Sequence, residues 1–302
     1  MNEIVRRAWR QKPFALTKLG QLWRLVRESH EQPITGQPRP PKIVDPGELG
    51  VTFIGHSSFF LQIGGRNVLI DPVFSQRLIL LRRQSHPGTL PSQLPPIDLV
   101  LVTHAHMDHL DLASLRRVVR SNRRANQRPP EIVVPEGVDD LVNSLGFRQV
   151  HTLAWWQQAQ VAGLEITMTP CRHWGARMFN DTHRGYGGYV VASRQDSVYH
   201  SGDTAWFDGF AEIGRRLKPR IALLPIGAYF PDSYRAVHVS PEEAVRGFLD
   251  SNAELMIPMH FGAFRLGREP MGEPVERLMA EAERRGVANR VRVLTEGQTL
   301  IP

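Results

Sequence analysis

An apolar run, Ile97 to Val102, feeds directly into His104-Ala105-His106-Met107-Asp108-His109, and this His-x-His-x-Asp-His sequence constrains the chain more than any other segment. Three imidazoles and a carboxylate supply the nitrogen and oxygen donors that a borderline-soft divalent ion takes. A loop can turn alternate side chains of such a run toward two neighbouring ions. The donors gather where a buried strand would end, so the leading expectation is a metallohydrolase. The bland alternative is a solvated, histidine-rich turn.

The 302 residues suffice for one large or two small domains with a sizeable core. A hydrophobic fraction of 41% and a charged fraction of 22% are those of a globular chain, not a disordered one. Cys171 is the single cysteine, which excludes an internal disulfide and a Cys-rich structural zinc site. The first twenty residues carry charges throughout, and no apolar run is long enough to span a bilayer. The reading is a cytoplasmic protein, with a peripheral place on the inner membrane surface as the second option. The formal charge of +7 suits anionic partners, and equally an arginine-rich composition that no function demands. The arginines at 116, 117, 120, 123, 124 and 128 read as a solvated helix face, because no aromatic residues are interleaved for base stacking.

Two regions follow from the texture. Residues 1–48 comprise a basic amphipathic helix, with Leu19, Leu22, Trp23 and Val26 at helical spacing, and a connector rich in proline (Pro33, Pro38, Pro40, Pro41, Pro46). That helix suits an anionic membrane surface or packing on protein, and Trp9 and Trp23 read as exposed. Residues 49–302 alternate strands and helices. Gly64-Gly65 signals a hairpin. A helix spans about Val138 to Leu145, and Ser240-Pro241 opens another, with Ser240 as cap. A final helix near Pro274 to Arg285 precedes a strand at Val291 to Leu294. The expected architecture is α/β, two sheets sandwiched between helices.

The opening motif has partners at the ends of three more strand-like runs. His173 follows Leu164 to Thr169, Asp203 follows Ser197 to His200, and His260 follows Leu255 to Met259. Taken singly, each histidine is more commonly a packed core or surface residue. Their matching positions at carboxyl ends of strands, where ligands converge in α/β folds, reverse that balance.

The segments VTFIGHSSFF, NVLIDPVFS, LPPIDLVLVTHAHMDHLD, TPCRHWGAR, SGDTAWFDGFAEIG, LLPIGAYFP, HVSPEEAV and MHFGAF resemble the metallo-β-lactamase fold superfamily, in the branch of N-acylphosphatidylethanolamine phospholipase D and its bacterial relatives. The likeness runs from about Gly50 to the C-terminus. It implies the four-layer αβ/βα sandwich of that superfamily and two divalent ions, zinc first and manganese or iron as alternatives. By the same resemblance His104, His106 and His173 hold one ion, Asp108, His109 and His260 the other, and Asp203 bridges them. Asp71 resembles the carboxylate that orients a ligating histidine.

The activity so implied is a phosphodiesterase of phospholipase D type, acting on N-acylphosphatidylethanolamine-like phospholipids through a metal-bridging hydroxide. Asp108, Asp203 and His238 are its catalytic candidates, Asp108 orienting the nucleophile and His238 protonating the leaving group. His56 has a weaker substrate-side reading. Tyr229 and Arg177 offer a phenol and a guanidinium that suit phosphate oxygens or merely support loops, and Cys171 reads as a small buried residue rather than a nucleophile. The alternatives are a lactonase or other carbonyl hydrolase of the same fold, a nuclease, and a non-enzymatic metal-bearing module. The expected partners are a phospholipid or other phosphodiester substrate, membrane contact through the N-terminal helix, and a second copy in a homodimer; nucleic acid is disfavoured.

Overall fold

Both parities of residue are buried along most strands, so each sheet must be covered on two faces. The computed structural model describes residues 15–178 and 181–302, with side chains from Trp23 onward. It contains, in order, α1 (Ala15–Glu31), β1 (Gly50–Gly55), β2 (Ser58–Ile63), β3 (Arg66–Ile70), β4 (Arg77–Leu78), β5 (Leu81–Arg82), β6 (Leu99–Leu101), α2 (Leu112–Arg124), β7 (Glu131–Pro135), α3 (Asp139–Val142), β8 (Val150–Leu153), β9 (Gln158–Val161) and β10 (Leu164–Thr169). The remainder is β11 (Gly188–Ala192), β12 (Ser197–His200), α4 (Gly209–Leu217), β13 (Ile221–Pro225), α5 (Pro241–Asp250), β14 (Leu255–Met259), α6 (Glu273–Arg284) and β15 (Thr299–Leu300).

The strands form a sheet in the order β15-β1-β2-β3-β6-β7-β8 and a second in the order β14-β13-β12-β11-β10-β9. Val51, Phe53, Phe59, Leu61, Leu99 and Leu101 of the first interdigitate with Ile166, Met168, Val191, Val198, Leu223 and Ile257 of the second. The opposite parity of the first sheet, including Phe60, Leu69, Val100 and Ile132, meets Leu115 and Val118 of α2 and Val142 beyond it. That of the second, including Tyr199, Ala222, Leu224 and Met256, meets Phe210, Val245, Phe248 and Leu278 on α4, α5 and α6. Each such fully buried leucine or phenylalanine contributes about 1.5–3 kcal/mol. The result is the expected four-layer sandwich.

Local signals explain several joints. Gly64 and Gly65 both take positive φ (56° and 69°), closing a two-residue turn between Ile63 and Arg66, which pair across β2 and β3. Ser240 caps α5 in a reciprocal box with Glu243, and Pro241 occupies its first turn. The carboxyl ends of β6, β10, β12 and β14 all deliver side chains to one edge of the sandwich, as described below.

Two expectations need correction. Val291 to Leu294 is not a strand. Val291 makes one isolated bridge to Met256, and the chain then crosses to the other sheet, where Thr299–Leu300 pairs with β1. The helix expected over 138–145 ends at Val142, gives way to a 3-10 turn and stops at Gly146, whose φ is 88°. On α1 Val26 is buried, and Trp23 is 59% exposed, as the sequence suggested. The side chains of Leu19 and Leu22, and Trp9 altogether, lie outside the described residues. Among those described, no helix is long and apolar enough to cross a membrane.

Candidate metal centre

Buried β6 ends at Leu101, and the loop that follows is tied by hydrogen bonds on both sides. Asp111 caps α2 by accepting from the Ala113 N–H and the Ser114 hydroxyl, which fixes the loop's exit. Arg177 donates to the carbonyls of Ala105 (2.9 Å) and Leu110 (2.8 Å) through a single Nη1, clasping both sides of the loop. These bonds give Arg177 the loop-supporting role that was one of its two readings. Tyr229 likewise donates to Glu273 at the start of α6 and is buried.

The loop brings His104, His106, Asp108 and His109 to His173 after β10, Asp203 after β12 and His260 after β14. Donor atoms of His104, His106 and His173 lie within 4.8 Å of one another, as do those of His56, Asp108, His109 and His260. His104, His109 and Asp203 form a further such group, so the two clusters share a wall. Asp203 Oδ2 is 3.2 Å from His109 Nε2, 3.0 Å from His260 Nε2 and 3.9 Å from His173 Nε2. All seven side chains named from sequence therefore converge. His238 joins them at the rim, with Nδ1 3.9 Å from Asp203 Oδ2 and its ring 5.0 Å from that of His173.

Hydrogen bonding fixes which ring nitrogens face inward. Asp71, fully buried, accepts from the Thr103 N–H (2.7 Å), the Thr103 hydroxyl (2.6 Å) and His109 Nδ1 (2.7 Å). Because Thr103 gives its hydroxyl proton to Asp71, its oxygen accepts from His104 Nδ1 at 2.9 Å. One carboxylate thus orients two histidines, one directly and one through a hydroxyl. His173 Nδ1 donates to the Val237 carbonyl at 3.0 Å. With Nδ1 protonated on His104 and His173, both Nε2 atoms are lone pairs, lying 2.8 and 3.2 Å from His106 Nδ1. A His106 Nδ1–H can donate to these lone pairs, and with that proton displaced the three nitrogens present a ready set of ligands to a cation. His109 Nε2, His260 Nε2 and Asp203 Oδ1 are buried without a hydrogen-bond partner. This donor set fits divalent metal.

Backbone strain accompanies the geometry. His56, Asp71 and His260 have φ of 61°, 44° and 61°, a region costly for non-glycine residues and typical of functional sites. Gly227 allows the loop after β13 to pass His260 closely, for a Cβ there would lie 2.0 Å from the His260 carbonyl oxygen.

A β-lactamase superfamily domain model matches residues 66–261, the stretch that contains every residue of the cluster but His56. The chain belongs to the metallo-β-lactamase superfamily. A metal-dependent hydrolase of Methanopyrus kandleri is 32% identical over 83% of this chain and 99% of its own. An uncharacterized protein of Mycobacterium tuberculosis is 36% identical over 93% of this chain and 77% of its own. The N-acyl-phosphatidylethanolamine-hydrolyzing phospholipase D of Saccharomyces cerevisiae is 31% identical over 79% of this chain but only 53% of its own length. Among solved structures, a metallo hydrolase of Ignicoccus hospitalis aligns with a TM-score of 0.60 and 26% identity over 83% of this chain and 97% of that one. The protein is thus a metal-dependent hydrolase of this superfamily.

In this superfamily member, electrostatics and donor geometry agree. Burial, with the neighbouring imidazoles, holds His104 and His173 well below the ordinary histidine range, so both stay neutral and able to donate a lone pair. Burial opposes ionisation of Asp203 and Asp108 as well. His109 with His260 nevertheless holds Asp203 far below the usual carboxylate range, and His109 with hydrogen bonds from His260 and His56 does so for Asp108. Metal would displace the protons that these carboxylates draw onto His109 and His260.

Sequence reasoning missed Thr103 and Trp174 and gave His56 a different role. Thr103 is an inconspicuous strand-end residue until its place between Asp71 and His104 is seen. His56 is not on the substrate side: it is fully buried, its Nε2 is 3.1 Å from Asp108 Oδ2, and its carbonyl accepts from the His260 N–H. Trp174 packs its ring 4.6 Å from His106 and 4.2 Å from His173, walling the cluster with an aromatic face. Its position beside His173 was the only available signal. Cys171 is buried with its thiol pushed well above the usual range by burial, which removes it as a nucleophile.

Proposed function

We propose that this protein is a dinuclear phosphodiesterase of phospholipase D type that hydrolyses N-acylphosphatidylethanolamine-like phospholipids. The observation that supports the reading is the convergence of six side chains with Asp203, among which His109 Nε2, His260 Nε2 and Asp203 Oδ1 are buried without a hydrogen-bond partner. His104, His106 and His173 would hold one ion, Asp108, His109 and His260 the other, with Asp203 between them. Zinc suits the nitrogen and oxygen donors, and manganese or iron is compatible with them. Such a pair supplies a nucleophilic water at neutral pH and positive charge for oxygens that gain charge during displacement at phosphorus.

The chain's own residues do the rest. Asp71 and Thr103 hold His109 and His104 in the required tautomers, and His56 restrains Asp108, leaving that carboxylate to accept a proton from the attacking water. His238, buried at the rim with Nδ1 unpartnered, is the proposed donor to the departing alkoxide. Burial lowers its pKa to about 4 in the free protein, so that role requires the substrate's negative charge to bring the proton onto the ring. His106 and Asp108 are only half-buried, so substrate enters from their side. A lipid is favoured by the apolar surroundings. Trp174 flanks His106, and Met178, Phe230 and Tyr234 are exposed on the loops that carry His173 and His238. The phospholipase named above supports the same headgroup chemistry.

Product analysis tests the reading. The metal-loaded protein should convert N-acylphosphatidylethanolamine to phosphatidate and N-acylethanolamine, with oxygen from labelled water entering the phosphatidate. Release of free fatty acid instead, or label in a carboxylate, would assign the centre to carbonyl substrates.

A further inference from the structure

The segment Arg77-Leu78-Ile79-Leu80-Leu81-Arg82 folds into the two-stranded hairpin β4–β5, with Arg77 opposite Arg82 and Leu78 opposite Leu81. Leu78 and Leu81 turn inward onto Val26, Val73, Ala263 and Phe264. The two turn residues cannot follow them. Ile79 is 72% exposed and Leu80 47%, and Ile79 has a φ of 55°, a conformation that a β-branched residue adopts only at a cost. The base of the hairpin is fixed. The Arg82 N–H donates to Ser29 Oγ (3.1 Å), Arg82 Nε donates to the Ser29 carbonyl (3.2 Å), and the Gln84 N–H donates to the Ala263 carbonyl (2.7 Å). An aliphatic tip is thus held out in water on a rigid stem.

Its surroundings select the partner. Trp23, one turn before Val26 on the helix that packs against this hairpin, is also exposed. Arg24, Arg27, Arg77 and Arg82 lie on these same elements and Arg265 on the adjoining loop after β14. Arg24 and Arg265 pair with Glu28 and Arg27 with Glu31, leaving a net positive surface of five arginines against two glutamates. Three apolar side chains expose together well under the ~800 Å² that each partner contributes to a stable protein interface. A bilayer requires no matching pocket, only apolar groups that reach below the headgroups and cations that stay among them. We infer that the β4–β5 hairpin is a membrane-inserting tip, with Ile79 and Leu80 entering the acyl region and the arginines engaging anionic headgroups. The inference goes beyond a lipid contact of α1 alone and does not depend on which substrate the metal centre takes.

The test uses the full chain and sedimentation with phosphatidylcholine vesicles, with and without phosphatidylglycerol. Wild type should partition onto the anionic vesicles and much less onto the neutral ones. Ile79→Asn combined with Leu80→Ser should lower that partitioning about tenfold or more. It should not lower Tm, since asparagine tolerates the left-handed turn position better than isoleucine does. Turnover of bis(p-nitrophenyl) phosphate, a soluble probe of the centre, should match wild type and so separate this result from any failure of the substrate reading. Equal partitioning of the double variant, or equal binding of wild type to neutral and anionic vesicles, would overturn the inference. So would a wild type that ignores vesicles but loses a dimer when Ile79 and Leu80 are replaced, because the tip would then be a contact between copies.

Discussion

Asp203→Asn is expected to reduce phosphodiester turnover by about 10³-fold or more while leaving the fold intact. Metal centres contribute several kcal/mol of charge stabilisation, and each 1.36 kcal/mol lost from the barrier is tenfold in rate. Asp203 is the carboxylate common to both clusters, with His109 and His260 at 3.2 and 3.0 Å and His173 at 3.9 Å. An amide of the same shape fills the space but presents one neutral acceptor and two N–H donors to nitrogens that must donate lone pairs. Metal analysis should therefore show fewer ions retained per chain, and circular dichroism should be that of the parent. Near-normal turnover with full metal content would mean that Asp203 only packs between the histidines.

The second large effect is expected at a residue that touches no metal. Asp71→Asn should weaken metal affinity by about 10- to 100-fold, the range found when groups supporting ligands are removed. Asp71 accepts three hydrogen bonds, from the Thr103 N–H, the Thr103 hydroxyl and His109 Nδ1. Asparagine keeps one acceptor oxygen and sets an N–H donor against either the hydroxyl or the imidazole. If His109 loses its partner, its tautomer is no longer fixed; if Thr103 does, His104 is released in turn. Competition with a graded chelator measures the affinity. The signature is a loss largely recovered at saturating metal, in contrast to Asp203→Asn, and an unchanged chelator midpoint would refute the shared-carboxylate arrangement.

The contrast between these two positions shows what the sequence can convey. The candidate ligands at strand ends were legible because each follows its own apolar run, so local periodicity sets His173, Asp203 and His260 at the same kind of position as the His-x-His-x-Asp-His loop before any contact is known. The Gly64-Gly65 hairpin and the Ser240 cap were legible for the same reason, being decided by backbone geometry within a few residues. Thr103 was not, because its role depends on Asp71, which lies on a different strand, and a hydroxyl at a strand end has many ordinary uses. Arg177 and Tyr229 were legible as polar groups near the site but not in their direction, which backbone carbonyls and Glu273 decide from afar. Val291 to Leu294 carries an acceptable strand pattern. Only the need to carry the chain from the edge of one sheet to β1 of the other explains why it bridges once and leaves.

The most direct test of the central claim is metal content measured alongside turnover of bis(p-nitrophenyl) phosphate, on protein stripped by chelation and reloaded with zinc or manganese, with His106→Ala as control. Binding of two ions per chain is predicted, with turnover that disappears on stripping, returns on reloading and is lost in the control. Turnover that survives complete metal removal, or a chain that holds no metal with all seven ligands intact, would contradict it.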